Sequence, residues 1–393
     1  MELWCVSRSS LSEMKIAITG ANGFLGARLA EILLEDHACR DLRMISRRGR
    51  QSGGHAVVDL LDAAAVRRAV QDRDAVVHCA FDFQDLEANL RIASILAEIC
   101  VEHGVRLVHI STAAVHEPLP DGELDEGHVP PSGGTMYQQV KLATENELIR
   151  YCNDYGLELI ILRPTIVYGP FGRAWTDSPI RELLTGTVVL PDEGNGLCNA
   201  VFVDDVCHAI IAGLTATSGT GKTILISGAK PVTWNEFYSA YQSMLGVGSL
   251  CLSSALSVRP RQVNSEVAAK GRLNAAKGLV IKFLGGGRIV RLRSLADCLL
   301  VFIRGPKVHL AAGAKLALFS SHCHVRIDTA KQLLGYEPRF DLRQGMERTA
   351  SYVRKRYRFV SRISRLRLAP GLKRLEPLGP LAMPAVREVP RAD

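Results

Sequence analysis

A doubly wound parallel α/β sheet with a smaller C-terminal lobe is the fold that this 393-residue sequence predicts. Three observations carry that expectation. An apolar, strand-like run ending at Thr19 turns on three glycines into an amphipathic helix. Short apolar strands then alternate with helical stretches of ten or more residues, the pattern of a parallel sheet. Hydroxyl residues stand at the end of one of these strands, and a helix that opens on a tyrosine and a lysine follows.

The first strand is Lys15-Ile-Ala-Ile-Thr19, and Gly20, Gly23 and Gly26 follow it. Gly20 permits the turn, Gly23 lets the backbone approach a pyrophosphate, and Gly26 lets helix and sheet pack closely. Phe24, Leu25, Leu29, Ile32 and Leu33 form the apolar side of the next helix. This is the arrangement of a Rossmann-type dinucleotide-binding domain, with a GxxGxxG spacing.

Leu42 to Ile45 reads as the second strand, ending at Ser46-Arg47-Arg48. An acid at such a strand end would hold the ribose 2′-hydroxyl of NAD. Two guanidinium groups suit a 2′-phosphate instead, so NADP is favoured and NAD is the alternative. Ala56 to Val58 is a short strand ending at Asp59-Leu60, and Asp62 starts a helix. Ala75 to Cys79 is the next strand, followed by Ala80, a long helix over Asp85–His103 and a strand over Val105–Ile110. Ser111 and Thr112 then stand where a parallel sheet faces its ligand crevice.

A loop rich in proline and glycine leads to Tyr137-Gln-Gln-Val-Lys141, which opens a helix running to Tyr155. Residues four apart share a helix face, and a nearby ammonium lowers a phenol's pKa. Trp175 to Leu197 reads as a loop and helix of the second lobe. Val201–Asp205 and Thr223–Ser227 are expected to return to the sheet, and Thr233 to Glu236 has capping-box spacing. The domain plan is a flexible leader (1–14), a dinucleotide-binding domain (15–175, rejoined by 199–230), a substrate lobe (176–198 and 231–350) and a basic, partly disordered tail (351–393).

The net charge of +8 is uneven. Residues 259–315 carry a net +10 and residues 351–393 a net +8, which leaves an acidic body of about −10. Anionic substrate phosphates and a membrane surface are the partners such segments suit. No aromatic-basic module points to nucleic acid. No apolar run approaches the ~20 residues needed to span a bilayer. No secretory signal is evident, and ten scattered cysteines without a CxxC pair read as reduced thiols, so the expected location is cytoplasmic, with peripheral membrane contact as an extension. His322-Cys323-His324 has no second ligand cluster, so no metal site is expected.

Taken in order, TGANGFLG (19–26), Asp59-Leu60, VVHCA (76–80), ISTAAV (110–115), Tyr137 with Lys141, RPTIVYGP (163–170) and VFVDDVCHAI (201–210) have a familiar spacing. With them, the chain resembles an extended short-chain dehydrogenase/reductase of the NAD-dependent epimerase/dehydratase type over about residues 15–258 and 325–354. The resemblance implies that Tyr137 is the general acid/base, that Lys141 lowers its pKa and holds the nicotinamide ribose, and that Thr112 orients the reacting oxygen, with Ser111 ranked second. Gly20, Gly23, Phe24, Leu25, Gly26, Arg47, Arg48, Asp59, Leu60, Ala80, Asn89, Lys141 and Pro164 would meet the cofactor, and Arg163 would end its strand near the nicotinamide.

There are departures. His116-Glu117 stand where the family often has Tyr-Gly, and Ala113-Ala114 replace the acidic pair of the 4,6-dehydratases, which argues against dehydration. The leading expectation is an oxidoreductase or epimerase acting on a nucleotide sugar, with a homodimer through helices 85–103 and 136–155 as in many relatives. A membrane-surface hydroxysteroid- or isoprenoid-type dehydrogenase, using 259–315 as a membrane contact, is the first alternative. A non-catalytic NADP(H)-binding regulator is the second.

Overall fold

A computed structural model describes residues 8–35, 39, 41–49, 54–246, 248–254 and 307–367. A parallel sheet in the order β3-β2-β1-β4-β5-β7-β12 organises it. Its strands are β1 (Lys15–Thr19), β2 (Asp41–Ser46), β3 (His55–Val57), β4 (Ala75–His78), β5 (Arg106–Ile110), β7 (Leu159–Pro164) and β12 (Lys222–Ile226). The short β6 (Glu123–Leu124) lies outside it. Every residue of β4 and β7 is buried, because helices cover both faces.

Alternation along each strand feeds two cores. Ile16 and Ile18 of β1 point to one, under α2 (Phe24–Glu35) and α7 (Val203–Thr215). Ala17, Val76, Leu107 and Ile161 point to the other, under α3 (Ala63–Val70), α4 (Leu86–His103) and α5 (Met136–Tyr155). The chain leaves β1 for β2 on one side and returns to β4 on the other. That reversal opens a crevice at the strands' C-terminal ends.

The strand begun by β7 breaks at Thr165, and β8 (Ile166–Tyr168) pairs with β11 (Ala200–Phe202) in a separate ribbon. The expected return of Val201–Asp205 to the main sheet is therefore corrected. Only β12 rejoins it, and Val203 onward is helix, its first turn carrying Asp204 and Asp205. The second lobe holds α6 (Ser178–Thr185), β9 (Gly186–Leu190), β10 (Leu197–Cys198), β13 (Val232–Thr233), α8 (Trp234–Leu245), β14 (Ser249–Leu252), β15 (Lys307–Leu310) and α9 (Ala314–Phe319). Trp234, Phe237, Tyr238 and Phe319 pack its centre. The capping box at Thr233 and Glu236 forms as expected. β16 (His324–Val325) pairs with β6 and fastens this lobe to the loop beyond Thr112.

Two ends differ from the expected plan. The leader contains α1 (Arg8–Glu13), with Leu11 buried in the first core. After α10 (Asp328–Leu334), α11 runs from Leu342 to Arg367 without a break at 351. Its Met346, Ala350, Val353 and Tyr357 are buried, so the start of the supposed tail is core. Asp177 holds it there, accepting hydrogen bonds from Tyr352 and Tyr357 at 2.8 Å each and pairing with Arg356 at 3.1 Å. Most of the basic segment, including Arg259, Arg261 and Arg288, and the tail beyond 367 lie outside the described residues. Among the described residues no helix is long and apolar enough to cross a membrane. The eight described cysteines are free; five are buried, two are half-buried and Cys251 is exposed.

Candidate active site

The crevice is a cleft of about 890 Å³. Gly20 begins it with φ +68°, and a Cβ there would stand 2.7 Å from the backbone nitrogen of Ala80. Only glycine lets β1 turn this close to the end of β4. A Cβ on Gly26 would stand 2.5 Å from the Gly20 carbonyl, so Gly26 seats α2 against the turn and does not itself line the cleft. Gly23, Phe24 and Leu25 do line it. The unpaired N–H groups of the first turn of α2 thus open towards the cleft, a natural place for an anion. Asn22 ties the turn to the far wall, donating to Ser46 Oγ at 3.0 Å and to the Arg48 carbonyl at 2.8 Å.

Arg47, Arg48, Asp59 and Leu60 form that far wall, and Ala80, Asn89 and Pro164 line the cleft further along. Two of these side chains have other engagements. Asn89 donates to the carbonyls of Asp82, Asp85 and Leu86 and accepts from the Asp82 N–H, so it pins the loop after β4. Arg47 reaches across to Asp82, Nη1 to Oδ2 at 2.5 Å.

Thr112, Tyr137 and Lys141 converge on the wall of the crevice. Ser111 N donates to the Leu162 carbonyl and so extends the sheet by one residue. Thr112 then caps a 3₁₀ turn over Ala113–His116 through a bond from Ala114 N at 3.2 Å. α5 starts with a capping box between Thr135 and Gln138, which fixes Tyr137 in its first turn and Lys141 one turn on. Lys141 is buried; its Nζ donates to the Ile110 carbonyl at 2.8 Å and lies 4.5 Å from the Phe81 ring centre. Burial lowers its pKa to about 8.

The Tyr137 phenol is pushed up by burial, against a hydrogen bond with Thr112 that works the other way. The lowering expected from the ammonium is thus not what this structure has: Lys141 is directed at a carbonyl and an aromatic face.

Tyr137 and Thr112 also border a second pocket of about 310 Å³, lined by Phe83, Ala113, Ala114, Leu119, Ile166, Leu318 and Val325. Glu117 enters this pocket, accepting from Gln138 Nε2 at 3.3 Å. Burial raises its carboxyl to about 7.

Sequence reasoning gave no role to Phe81, Asp82, Phe83 or Glu117. Phe81 meets the Tyr137 ring edge-on at 5.2 Å and Phe83 lies nearly parallel to it at 5.9 Å. The signal for the first three was their place directly after VVHCA, at a strand end of the crevice. Arg163 stands at the end of β7 as expected, but its guanidinium turns from the cleft to Glu145 at 2.5 Å and to His116 Nε2 at 2.9 Å. His116 is accordingly buried, and burial beside Arg163 lowers it to about 4. Of the His-Cys-His triplet, His322 pairs with Asp192 and Cys323 is buried.

The chain is similar to several known proteins. A 2-alkyl-3-oxoalkanoate reductase of Stenotrophomonas maltophilia is 26% identical over 265 residues, 63% of this chain and 79% of that protein. A dTDP-glucose 4,6-dehydratase of Streptomyces antibioticus is 25% identical over 274 residues, 60% of this chain and 78% of its own. The fold is that of the UDP-glucuronic acid 4-epimerase of Bacillus cereus, solved in complex with NAD, at a TM-score of 0.60 and 19% identity, with 88% of this chain and 98% of that one covered. The sequence pattern of the NAD dependent epimerase/dehydratase family matches residues 16–227. With the glycine turn, the crevice and the ordered motifs in place over that span, the chain belongs to the NAD dependent epimerase/dehydratase family.

Proposed function

We propose that the protein transfers hydride between a nicotinamide dinucleotide and a substrate carbon bearing a hydroxyl or carbonyl group, with Tyr137 as the proton carrier. The carrying observation is that Thr112 and Tyr137 stand on the wall shared by the long cleft and the smaller pocket. The dinucleotide, when bound, supplies or accepts the hydride. The glycine turn and the start of α2 would take its pyrophosphate, Asp59 and Leu60 its adenosine, and Lys141 its nicotinamide ribose. Tyr137 gives its phenolic proton to a carbonyl oxygen as hydride arrives, or takes one from a hydroxyl as hydride leaves. Thr112 holds that oxygen beside the phenol. Lys141 can favour tyrosinate once it leaves the Ile110 carbonyl, which would reverse the upward pull of burial.

A nucleotide sugar is the substrate class that the family suggests. A second reading has one specific observation in its favour. The pocket beside Tyr137 is lined mainly by alanine, leucine, isoleucine, valine and aromatic side chains, and no arginine is among its described lining residues. An apolar ketone or secondary alcohol, of the hydroxysteroid or isoprenoid type, suits that lining better than a charged diphosphate does. A purely regulatory role would leave Thr112, Tyr137 and Lys141 without a task.

The test is turnover with NADH and NADPH against UDP-4-keto sugars, 3-oxoalkanoates and 3-ketosteroids. Oxidation of the nicotinamide with one class, lost in Tyr137→Phe while dinucleotide binding persists, supports the proposal and selects the reading. Turnover that survives in Tyr137→Phe contradicts it.

A further inference from the structure

Two arginines at the end of β2 favour a 2′-phosphate, yet one of them already has a negative partner inside the cleft. Arg47 Nη1 lies 2.5 Å from Asp82 Oδ2. The two ends of this pair are not equally free: the Arg47 side chain is 60% exposed and that of Asp82 only 14%. Asp82 is also fixed by its neighbours. Its Oδ1 accepts the N–H of Gln84 at 2.8 Å and of Asp85 at 3.3 Å. Its own N–H donates to Asn89 Oδ1 at 2.8 Å, and Asn89 Nδ2 donates to its carbonyl at 2.9 Å. These N–H donors and Arg47 hold the carboxyl below the usual range, so it is an anion at neutral pH.

We propose that Asp82 is a specificity residue for the cofactor, a fixed negative charge that disfavours NADP relative to NAD. The inference rests on reading the crevice as a dinucleotide site. A 2′-phosphate carries close to two negative charges at pH 7. To use Arg47 it must draw the guanidinium from Asp82 and then lie near a carboxylate left without its cation. Coulomb repulsion there opposes the gain from the arginines. NAD has a neutral hydroxyl at the same position and meets no such opposition. The long side chain of Arg47 can move; the carboxylate, held by the N–H groups of Gln84 and Asp85 on a backbone that Asn89 pins, cannot follow. Asp82 therefore offsets the preference that Arg47 and Arg48 would otherwise impose.

The full-length protein is titrated with NADPH and with NADH, following nicotinamide fluorescence, as wild type, Asp82→Asn, Arg47→Ala and the double variant. Asparagine keeps an oxygen for the Gln84 and Asp85 N–H groups and removes the charge. Asp82→Ser, which also retains a turn acceptor, replaces it if circular dichroism finds Asp82→Asn unfolded. Asp82→Asn should tighten NADPH by about tenfold while NADH changes by less than about twofold. Arg47→Ala should weaken NADPH, and in the double variant Asp82→Asn should still tighten it, because the carboxylate repels the 2′-phosphate whether or not Arg47 is present. An unchanged or lower NADPH-to-NADH affinity ratio in a folded Asp82→Asn or Asp82→Ser protein overturns the proposal alone. Failure of wild type to bind either nucleotide overturns the reading of the cleft and the proposal with it.

Discussion

Tyr137 and Glu117 face one small pocket, and both hold the proton more tightly there. Burial raises both, and the negative charge of Glu117 adds to the rise at Tyr137. Replacing Tyr137 by phenylalanine removes the only atom that differs, the phenolic oxygen. Turnover should fall by about 10²–10⁴-fold, with nicotinamide binding retained in a fluorescence titration. Glu117 gives a pH signature that needs no substrate. Its carboxyl titrates at about 7 in the folded chain, above the ordinary value of 4.5. Between these pH values the folded state binds more protons than the unfolded one, so stability falls as pH rises through the window. Glu117→Gln stays neutral throughout. Its melting temperature should match wild type near pH 4 and exceed it near pH 8, by on the order of 1–3 kcal/mol in stability. An equal gap at both pH values would remove the buried carboxyl from this account. That Thr112, Tyr137 and Lys141 meet in one cleft was legible because they stand at a strand end and along one helix face. The ammonium's direction was not, since spacing says nothing of the Ile110 carbonyl or the Phe81 ring that compete for it.

At the scale of elements, α5 and α11 depend on polar anchors. The capping box of α5 holds the turn that carries Tyr137. Thr135→Ala should cost about 1 kcal/mol, read as a lower denaturant midpoint. Asp177 is nearly enclosed and satisfies two tyrosine hydroxyls and Arg356 of α11. Asp177→Ala would leave that guanidinium and both hydroxyls poorly partnered. A loss of about 2–4 kcal/mol in chemical denaturation is expected, because an uncompensated buried charge costs more than the pair was worth. Strand and helix order was readable from apolar periodicity, and ends such as Asp62 and Asp85 from their capping residues. The departure of β8 and β11 from the sheet was not. Both are apolar runs of three residues, and nothing in so short a run says which partner it will pair with. The extent of α11 was misread because its arginine content resembles a solvated tail, while its apolar side recurs at helical spacing through Met346, Ala350, Val353 and Tyr357.

At the scale of the molecule, two cores on opposite faces of one parallel sheet leave the strands' C-terminal ends free, and the second lobe closes over them. The crevice and the small pocket meet there, with Thr112 and Tyr137 on their common wall. This plan followed from the glycine turn and the alternation of elements, which report local geometry faithfully. Substrate choice did not follow, because the pocket is assembled from Ala113, Ile166, Leu318 and Val325, residues far apart in the chain and unremarkable one by one. The most direct test of the central claim is hydrogen–deuterium exchange of the full-length protein with and without NADH. The account predicts slowed exchange in peptides covering 19–28, 79–90 and 110–112, the turn, the loop and the strand end that line the cleft. NADH that leaves these segments unprotected, at concentrations where it protects others, would contradict it.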